Sequence, residues 1–215
     1  MRPITVTVGP ALSSTANNIA TSQTPAGAGA VTLNGSLVKN GIAYLGTAQR
    51  VLITTADTTT TFTIVGTTPT GAPLTESFLV SAGSTYSKLD YWSVTSITVN
   101  QGPTAAVTVG TNGIGSTPWV RLDEWANSYV TIQCDVVGTV NYTVQGTMDD
   151  PNSPFGTPVL PSAVNWINSG DSAAVNATGS IATNFLFAPT FARVLLNSGS
   201  GSVTATFAQA EVAGR

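Results

Sequence analysis

The stretch VTIQCDVVGTVNYTVQG, residues 130–146, carries the pattern that decides the fold of this chain. Apolar and polar residues alternate on both sides of Gly138, which is typical of strands with one face in a core. The residues predicted to face inward are Val130, Ile132, Cys134, Val136, Val140, Tyr142 and Val144. Those predicted to face solvent are Thr131, Gln133, Asn141, Thr143 and Gln145.

Three other stretches repeat this arrangement of strand, polar turn and strand. They are RVLITTADTTTTFTIVG at 50–66, VTSITVNQGPTAAVTVG at 94–110 and RVLLNSGSGSVTATF at 193–207. Each predicts a β-hairpin. Asn-Gly steps that begin at Asn34, Asn40 and Asn112 favour tight turns, because both residue types tolerate positive φ. Helical periodicity is nearly absent, so the chain is predicted to be all-β.

The predicted domain boundary lies in GTNGIGSTP, residues 110–118, where Gly and Pro cluster between strand patterns. We expect two β-sandwich or jelly-roll-like domains in tandem, at 30–117 and 118–215. Short likenesses, such as FTIVGTTP at 62 and YTVQGTMDDP at 142, fit an internal duplication. They also fit two unrelated antiparallel strands with similar turns, so both explanations stay open.

Residues 1–29 differ from the rest of the chain. After ITVTV, the stretch SSTANNIATSQTPAGAGA at 13–30 is small and polar. Ordering each residue costs on the order of 1 kcal/mol of backbone entropy. Small polar side chains bury too little apolar surface to offset this cost. We therefore expect an extended N-terminal arm that becomes ordered only against a neighbouring subunit or a capsid.

The composition argues against several classes of function. Charged residues make up 8% of the 215-residue chain, against roughly 25% in ordinary domains. The seven basic residues are scattered, so we expect no nucleic-acid partner. Histidine is absent, which removes the usual general base and the commonest transition-metal ligand. We expect no enzyme, cofactor or metal, and no membrane-spanning segment.

The adjacent aspartates Asp149 and Asp150 precede the PNSP sequence at 151–154. Asp, Asn and Pro in such a run are typical of a turn. A calcium loop would need more oxygen ligands, and a glycosidase pair would need a second carboxylate from Asp123 or Asp171. We predict a turn.

The other noteworthy side chains have structural interpretations. Cys134 is predicted to be a buried, unreactive thiol, since its strand position faces inward and no basic residue adjoins it. Arg50 and Arg193 each begin an RVL strand and are predicted to be rim residues paired with a carboxylate such as Asp57. The tryptophans are predicted to lie in cores or interfaces, with a sugar-stacking platform as the alternative; they are Trp92, Trp119, Trp125 and Trp166.

Two blocks of the chain resemble a family of tailed-bacteriophage virion proteins. The first runs from GAVTLNGSLVKNGIAYLG at 29–46 to VTVGTNGIGS at 107–116. The second comprises WVRLDEWANSYVTIQCDVVGTVNYTVQGTMDDPNSP at 119–154 and RVLLNSGSGSVTATFAQA at 193–210. The resemblance implies a structural role in a particle and brings no catalytic residues.

The resulting expectation is a non-enzymatic virion protein that forms a homo-oligomer and contacts the major capsid protein or tail proteins. Capsid decoration is the first choice, and a tail or neck component is the alternative. A single cysteine and no signal-like apolar stretch at the start predict synthesis in the host cytoplasm. A carbohydrate-binding or adhesin-like β module is the alternative from another class.

Overall fold

The computed structural model describes residues 3–123, 129–153 and 159–209. These residues form seventeen strands and two single 3-10 turns, at Pro161–Ala163 and Ser172–Ala174. The strands up to the predicted boundary are β1 Ile4–Val8, β2 Thr15–Gln23, β3 Gly29–Ala30, β4 Val38–Lys39, β5 Ile42–Thr55, β6 Thr61–Thr67, β7 Pro73–Leu79, β8 Gly83–Tyr86, β9 Tyr91–Val99 and β10 Val107–Ser116. The strands after it are β11 Val120–Arg121, β12 Val130–Val137, β13 Val140–Thr147, β14 Ile167–Asn168, β15 Ile181–Phe185, β16 Phe191–Gly199 and β17 Ser202–Gln209. The chain is all-β, as the alternation predicts.

The chain divides into two compact units. The first unit is Ala11–Gly115, and the second unit combines Met1–Pro10 with Ser116–Arg215. The division at residue 116 falls inside the Gly-rich stretch 110–118. The second unit is discontinuous in sequence, which the tandem prediction of 30–117 and 118–215 did not include.

In the second unit, two antiparallel sheets supply the buried side chains. One sheet has the order β1-β17-β12-β15, and the other contains β14-β13-β16 with β11 on β16. Both sheets contribute completely buried residues to the core: Val130, Ile132, Cys134, Val203, Ala205 and Phe207 from the first, and Tyr142, Val144, Ala192, Val194 and Leu196 from the second.

In the first unit, the long strand β5 organises the fold. Strands β10, β9, β8 and β4 all pair with it, and the ladder continues from β9 through β6 to β7. Strand β2 adds to β10 and β3 adds to β9. Tyr91, Phe62, Ile64 and Ile97 are completely buried beside these ladders.

The four predicted hairpins are not hairpins. Within the described residues, neither strand of the pairs β5 and β6, β9 and β10, β12 and β13, or β16 and β17 is a ladder partner of the other. In the second unit, β12 and β17 lie in one sheet while β13 and β16 lie in the other. The chain therefore arches from sheet to sheet at Gly138. Alternation cannot separate the two cases, because hairpin and arch both keep apolar residues on the core side.

One predicted face of β13 also needs correction. Thr143 and Gln145 were expected to face solvent, yet they are 4% and 8% exposed. The segment 165–177 covers them: Asn176 N–H donates to Thr143 Oγ1 at 3.1 Å. Gln145 Nε2 donates to Asn168 Oδ1 at 2.9 Å. Both faces of β13 are thus buried, one by apolar packing and one by hydrogen bonds.

The predicted N-terminal arm is wrong for the described residues. Strand β1 pairs with β17, and β2 pairs with β10, so each belongs to a sheet of the chain itself. Ile19 and Ala20 are completely buried, and Asn18 Nδ2 donates to Thr111 Oγ1 at 2.9 Å. The backbone hydrogen bonds of these ladders offset the entropy cost of ordering residues whose small polar side chains bury little apolar surface.

Candidate functional site

Asp149 and Asp150 form the predicted turn. Asp150 Oδ1 accepts from the Asn152 N–H at 2.8 Å, and its carbonyl accepts from Ser153 N–H at 3.1 Å. Its Oδ2 lies 2.9 Å from Arg121 Nη2. Asp149 Oδ2 accepts from the Asn165 N–H at 2.7 Å. A backbone N–H therefore binds each carboxylate, Arg121 pairs with Asp150 as well, and the turn prediction is confirmed.

Of the two aspartates considered as partners, Asp123 is exposed and Asp171 is tied into a turn of its own. Asp171 Oδ1 accepts from Ala173 N–H at 2.9 Å and caps the second 3-10 turn. Its Oδ2 accepts from Thr183 Oγ1 at 2.7 Å, and these bonds lower the pKa of the carboxyl. Within the described ranges, no group of three or more Cys, Asp or Glu side chains is arranged to hold a metal ion.

Cys134 is buried, as predicted. Burial raises the pKa of its thiol to about 11, while the hydroxyl of Tyr142 works in the opposite direction. That hydroxyl also donates to the Gly179 carbonyl at 2.9 Å. The thiol is in its unreactive form at neutral pH, because the thiolate is the nucleophile.

Two of the predicted aromatic residues make one cluster in the second unit. Trp119 packs edge-to-face on Trp166 with ring centres 5.0 Å apart, and on Phe191 at 6.0 Å. Trp92, in the first unit, is 36% exposed. Trp125 lies outside the described residues. Trp119 and Trp166 are half-buried and pack on each other within the second unit, whereas the exposure of Trp92 departs from the predicted burial.

Arginines cover two rings of this cluster. Arg193 lies over Trp166 at 4.1 Å from the ring centre, and its Nε donates to Gln145 Oε1 at 2.9 Å. Arg121 lies over Phe191 at 5.4 Å. Arg193 is 3% exposed, so the prediction of a rim residue is wrong for it. The planar guanidinium of Arg193 stacks on the aromatic face of Trp166 and is buried there.

Arg50 and Asp57, predicted partners, are not each other's partners. Arg50 Nε lies 3.8 Å from Asp90 Oδ1, and its guanidinium is 5.5 Å from the centre of the Tyr86 ring. Asp57 instead accepts from the hydroxyl groups of Thr60, Thr59 and Thr104 and from the Thr59 N–H. These bonds, that of Thr60 foremost, hold the pKa of Asp57 well below its usual range.

A buried acidic side chain on β7 was not predicted. Glu76 is 4% exposed and accepts from the N–H groups of Lys88 and Leu89 at 2.9 to 3.1 Å. Burial raises the pKa of this carboxyl, and the two N–H groups oppose that rise. Strand β7 ends the ladder that runs through β9 and β6. A carboxyl side chain that points inward on such an edge strand disfavours pairing with foreign strands.

The second unit exposes large apolar side chains where two of its ladders end, at the pairs Val130–Phe185 and Thr147–Phe191, and we call this group the apolar rim. Leu186 is 71% exposed, Met148 63%, and Tyr129 and Phe187 57% each. The strand and turn patterns of the sequence did not predict this surface. One feature of the sequence indicates it. Phe185, Leu186 and Phe187 are three consecutive apolar residues, and strand alternation places at least one of three such residues outward.

The comparisons with known proteins add no relative: no family model, curated protein or solved structure matches this chain. In the part of the chain that the structure describes, none of the helical segments has the length and apolar character needed to cross a membrane.

Proposed function

We propose that this chain is a non-enzymatic structural protein of a tailed-phage virion, acting as a capsid decoration protein. In this proposal its two units are β-sandwich-like domains that work through contacts with copies of itself and with the major capsid protein. It is made in the host cytoplasm and becomes part of the virion. No cofactor, nucleic acid or membrane takes part.

The observation that carries the proposal is the apolar rim. Four large apolar side chains, each more than half exposed, project from a chain in which only 8% of residues are charged. Exposed apolar groups of this size are characteristic of protein contact surfaces. A particle subunit uses such surfaces against its neighbours.

The resemblance to virion proteins supports the same conclusion independently of the rim. It spans residues 29–116 and the two later blocks at 119–154 and 193–210. A tail or neck component is the alternative within the same class, because a contact surface of this kind suits a capsid lattice and a tail assembly equally.

The carbohydrate-binding alternative needs aromatic faces open to a sugar ring. The Trp166 face is occupied by Arg193 at 4.1 Å, and Trp119 meets Trp166 edge-to-face. This arrangement favours the virion proposal over a glycan site at the cluster of Trp119 and Trp166. A glycan panel monitored by tryptophan fluorescence would test it, and we expect no quenching.

The proposal is tested on particles released from cells that carry the gene. Gold-labelled antibodies against the chain should mark the capsid shell in electron micrographs, and mass spectrometry should find the chain in purified particles. Label confined to the tail or neck would favour the alternative station. If purified particles lack the chain, the proposed function is wrong.

A further inference from the structure

The first unit contains three Asn-Gly steps, which begin at Asn34, Asn40 and Asn112. Asn-Gly is the dipeptide in which an asparagine side chain loses its amide most readily. Glycine has no side chain to obstruct the approach, so its backbone nitrogen can reach the carboxamide carbon of the asparagine before it. The three steps are alike as dipeptides, so the fold decides how their reactivities differ.

The step at Asn34 is held on both sides by hydrogen bonds. Asn34 Oδ1 accepts from the Thr21 N–H at 2.8 Å and from Thr21 Oγ1 at 2.9 Å. The Gly35 N–H donates to the Ile19 carbonyl at 2.9 Å. The carboxamide and the nitrogen that would attack it are therefore both bound to strand β2.

The step at Asn112 lies inside strand β10, where Asn112 and Gly113 are both half-buried. Asn112 Oδ1 accepts from the Ile114 N–H at 3.0 Å. Its Nδ2, which would leave as ammonia, is shielded from solvent. Ring closure would have to turn this carboxamide out of its buried position, so the fold opposes the reaction here as well.

The step at Asn40 is the two-residue loop of the hairpin between β4 and β5, in which Lys39 pairs with Ile42. Asn40 has φ 52° and Gly41 has φ 79°, the positive values of a type I′ turn. Both residues are exposed, and nothing lies within 4 Å of a Cβ added at Gly41. Within the described part of the chain, neither the Asn40 side chain nor the Gly41 N–H forms a hydrogen bond. Both reacting groups are thus open to water.

We infer that Asn40 is a site of spontaneous deamidation, singled out by the fold from the three Asn-Gly steps. The Gly41 nitrogen gives its proton to hydroxide and attacks Cγ of Asn40, and the bond from Cγ to Nδ2 breaks as ammonia leaves. Water then opens the succinimide ring to aspartate or to isoaspartate. The net reaction consumes one water and releases one ammonia. This inference goes beyond the proposed function and does not rest on it.

The modification changes both the charge and the length of the loop. It adds one negative charge beside Lys39, on a chain whose net charge is −3. Isoaspartate also adds one methylene to the main chain of a loop whose length sets the pairing of Lys39 with Ile42. The isoaspartate product should therefore loosen the hairpin between β4 and β5.

The test compares the three sites in the full chain, folded and denatured in guanidinium chloride, during incubation in warm, mildly alkaline buffer. Mass spectrometry of tryptic peptides reports each site, and the peptide 40–50 contains Asn40 as its only asparagine. In the folded chain Asn40 should react at least about tenfold faster than Asn34 and Asn112, because hydrogen bonds that must break before ring closure slow the step. In denaturant the three rates should converge.

The matched control is Asn40→Gly, which suits the positive φ of the turn and has no carboxamide. This variant should keep the circular dichroism and melting temperature of the parent and show no mass gain in the peptide 40–50. The aged parent should gain an acidic band in isoelectric focusing that the aged variant lacks. Equal rates at the three sites of the folded chain would overturn the inference. So would an Asn40 that stays unmodified through several half-lives of the denatured chain.

Discussion

The guanidinium of Arg193 lies 4.1 Å from the centre of the Trp166 ring, and Arg193 is only 3% exposed. Its Nε donates to Gln145 Oε1, whose amide nitrogen in turn donates to Asn168 Oδ1. A buried charge is costly unless polar partners and an aromatic face compensate for it. This stack therefore secures the segment 165–177 over β13.

Replacing the stacked guanidinium should destabilise the second unit. Arg193→Lys keeps the charge but loses the planar stack and the Nε donor, and we expect a loss of about 1–3 kcal/mol in the free energy of unfolding. In a double-mutant cycle with Trp166→Leu, the coupling energy should be about 0.5–2 kcal/mol. Urea unfolding followed by fluorescence measures both values.

The control for this stack is Arg121→Lys, whose side chain is 55% exposed and pairs with Asp150. An exposed ion pair contributes at most about 1 kcal/mol, so the effect should be small. Equal losses for the two arginine substitutions would contradict the special role of Arg193.

Removal of residues 1–29 should destabilise the protein, whereas an arm ordered only against a neighbouring subunit would leave its stability unchanged. The deletion takes away β2 with the buried Ile19, whose burial alone contributes about 1.5–3 kcal/mol. It also takes β1 from the edge of β17. Calorimetry should show a lower or lost melting transition.

A single substitution tests the same pairing without a deletion. At Gly110, an added Cβ would collide with the carbonyl oxygen of Thr15, so Gly110→Ala should lower the melting temperature. Gly27→Ala is the matched control, because nothing lies within 4 Å of its added Cβ. An unchanged melting temperature for the Gly110 variant would show that β2 does not pair with β10.

Asp57 should make the first unit sensitive to acid. Its pKa in the folded state lies below the value of about 3.9 that an unfolded aspartate has. The ionised Asp57 carboxylate therefore contributes its full stabilisation of the fold above about pH 4. This contribution is lost as the pH falls through the pKa that Asp57 has in the folded state. Asp57→Asn should lower the melting temperature at pH 7 and flatten its decline between about pH 5 and 2.

The turn at residues 149–152 should tolerate loss of its charges. Asp149→Asn combined with Asp150→Asn keeps acceptor oxygens for the N–H groups and loses only the ion pair with Arg121. We expect a change of at most about 1 kcal/mol in the free energy of unfolding. EDTA should leave the melting temperature unchanged. A calcium-dependent rise of several degrees would instead identify a metal site.

The Cys134 thiol should resist modification in the native protein. With burial raising its pKa to about 11, reaction with a disulfide reagent at pH 8 should be slow and should become rapid in denaturant. Cys134→Ala should keep the circular dichroism of the parent and cost about 1–2 kcal/mol in the free energy of unfolding for the lost packing. Rapid labelling of the folded chain would show that the strand opens readily.

The sequence by itself determined the strand content and the inward residues. Val130, Ile132 and Cys134 are completely buried where the alternation predicts them, because the period of two is a local property of extended backbone. The turn at Asp149 and Asp150 was predictable because it too is a local property. The side chain of an Asp or Asn accepts a hydrogen bond from the backbone N–H two residues later.

Only the tertiary structure decided which strands become neighbours. The stretch 130–146 arches between two sheets instead of folding back as a hairpin, and β1 and β2 find partners about 200 and 90 residues away in the chain. Pairing of this kind depends on long-range register, which a local pattern does not contain. The burial of Arg193 under Trp166 and the gathering of the apolar rim have the same origin, because each joins residues from separate strands that meet only in the folded chain.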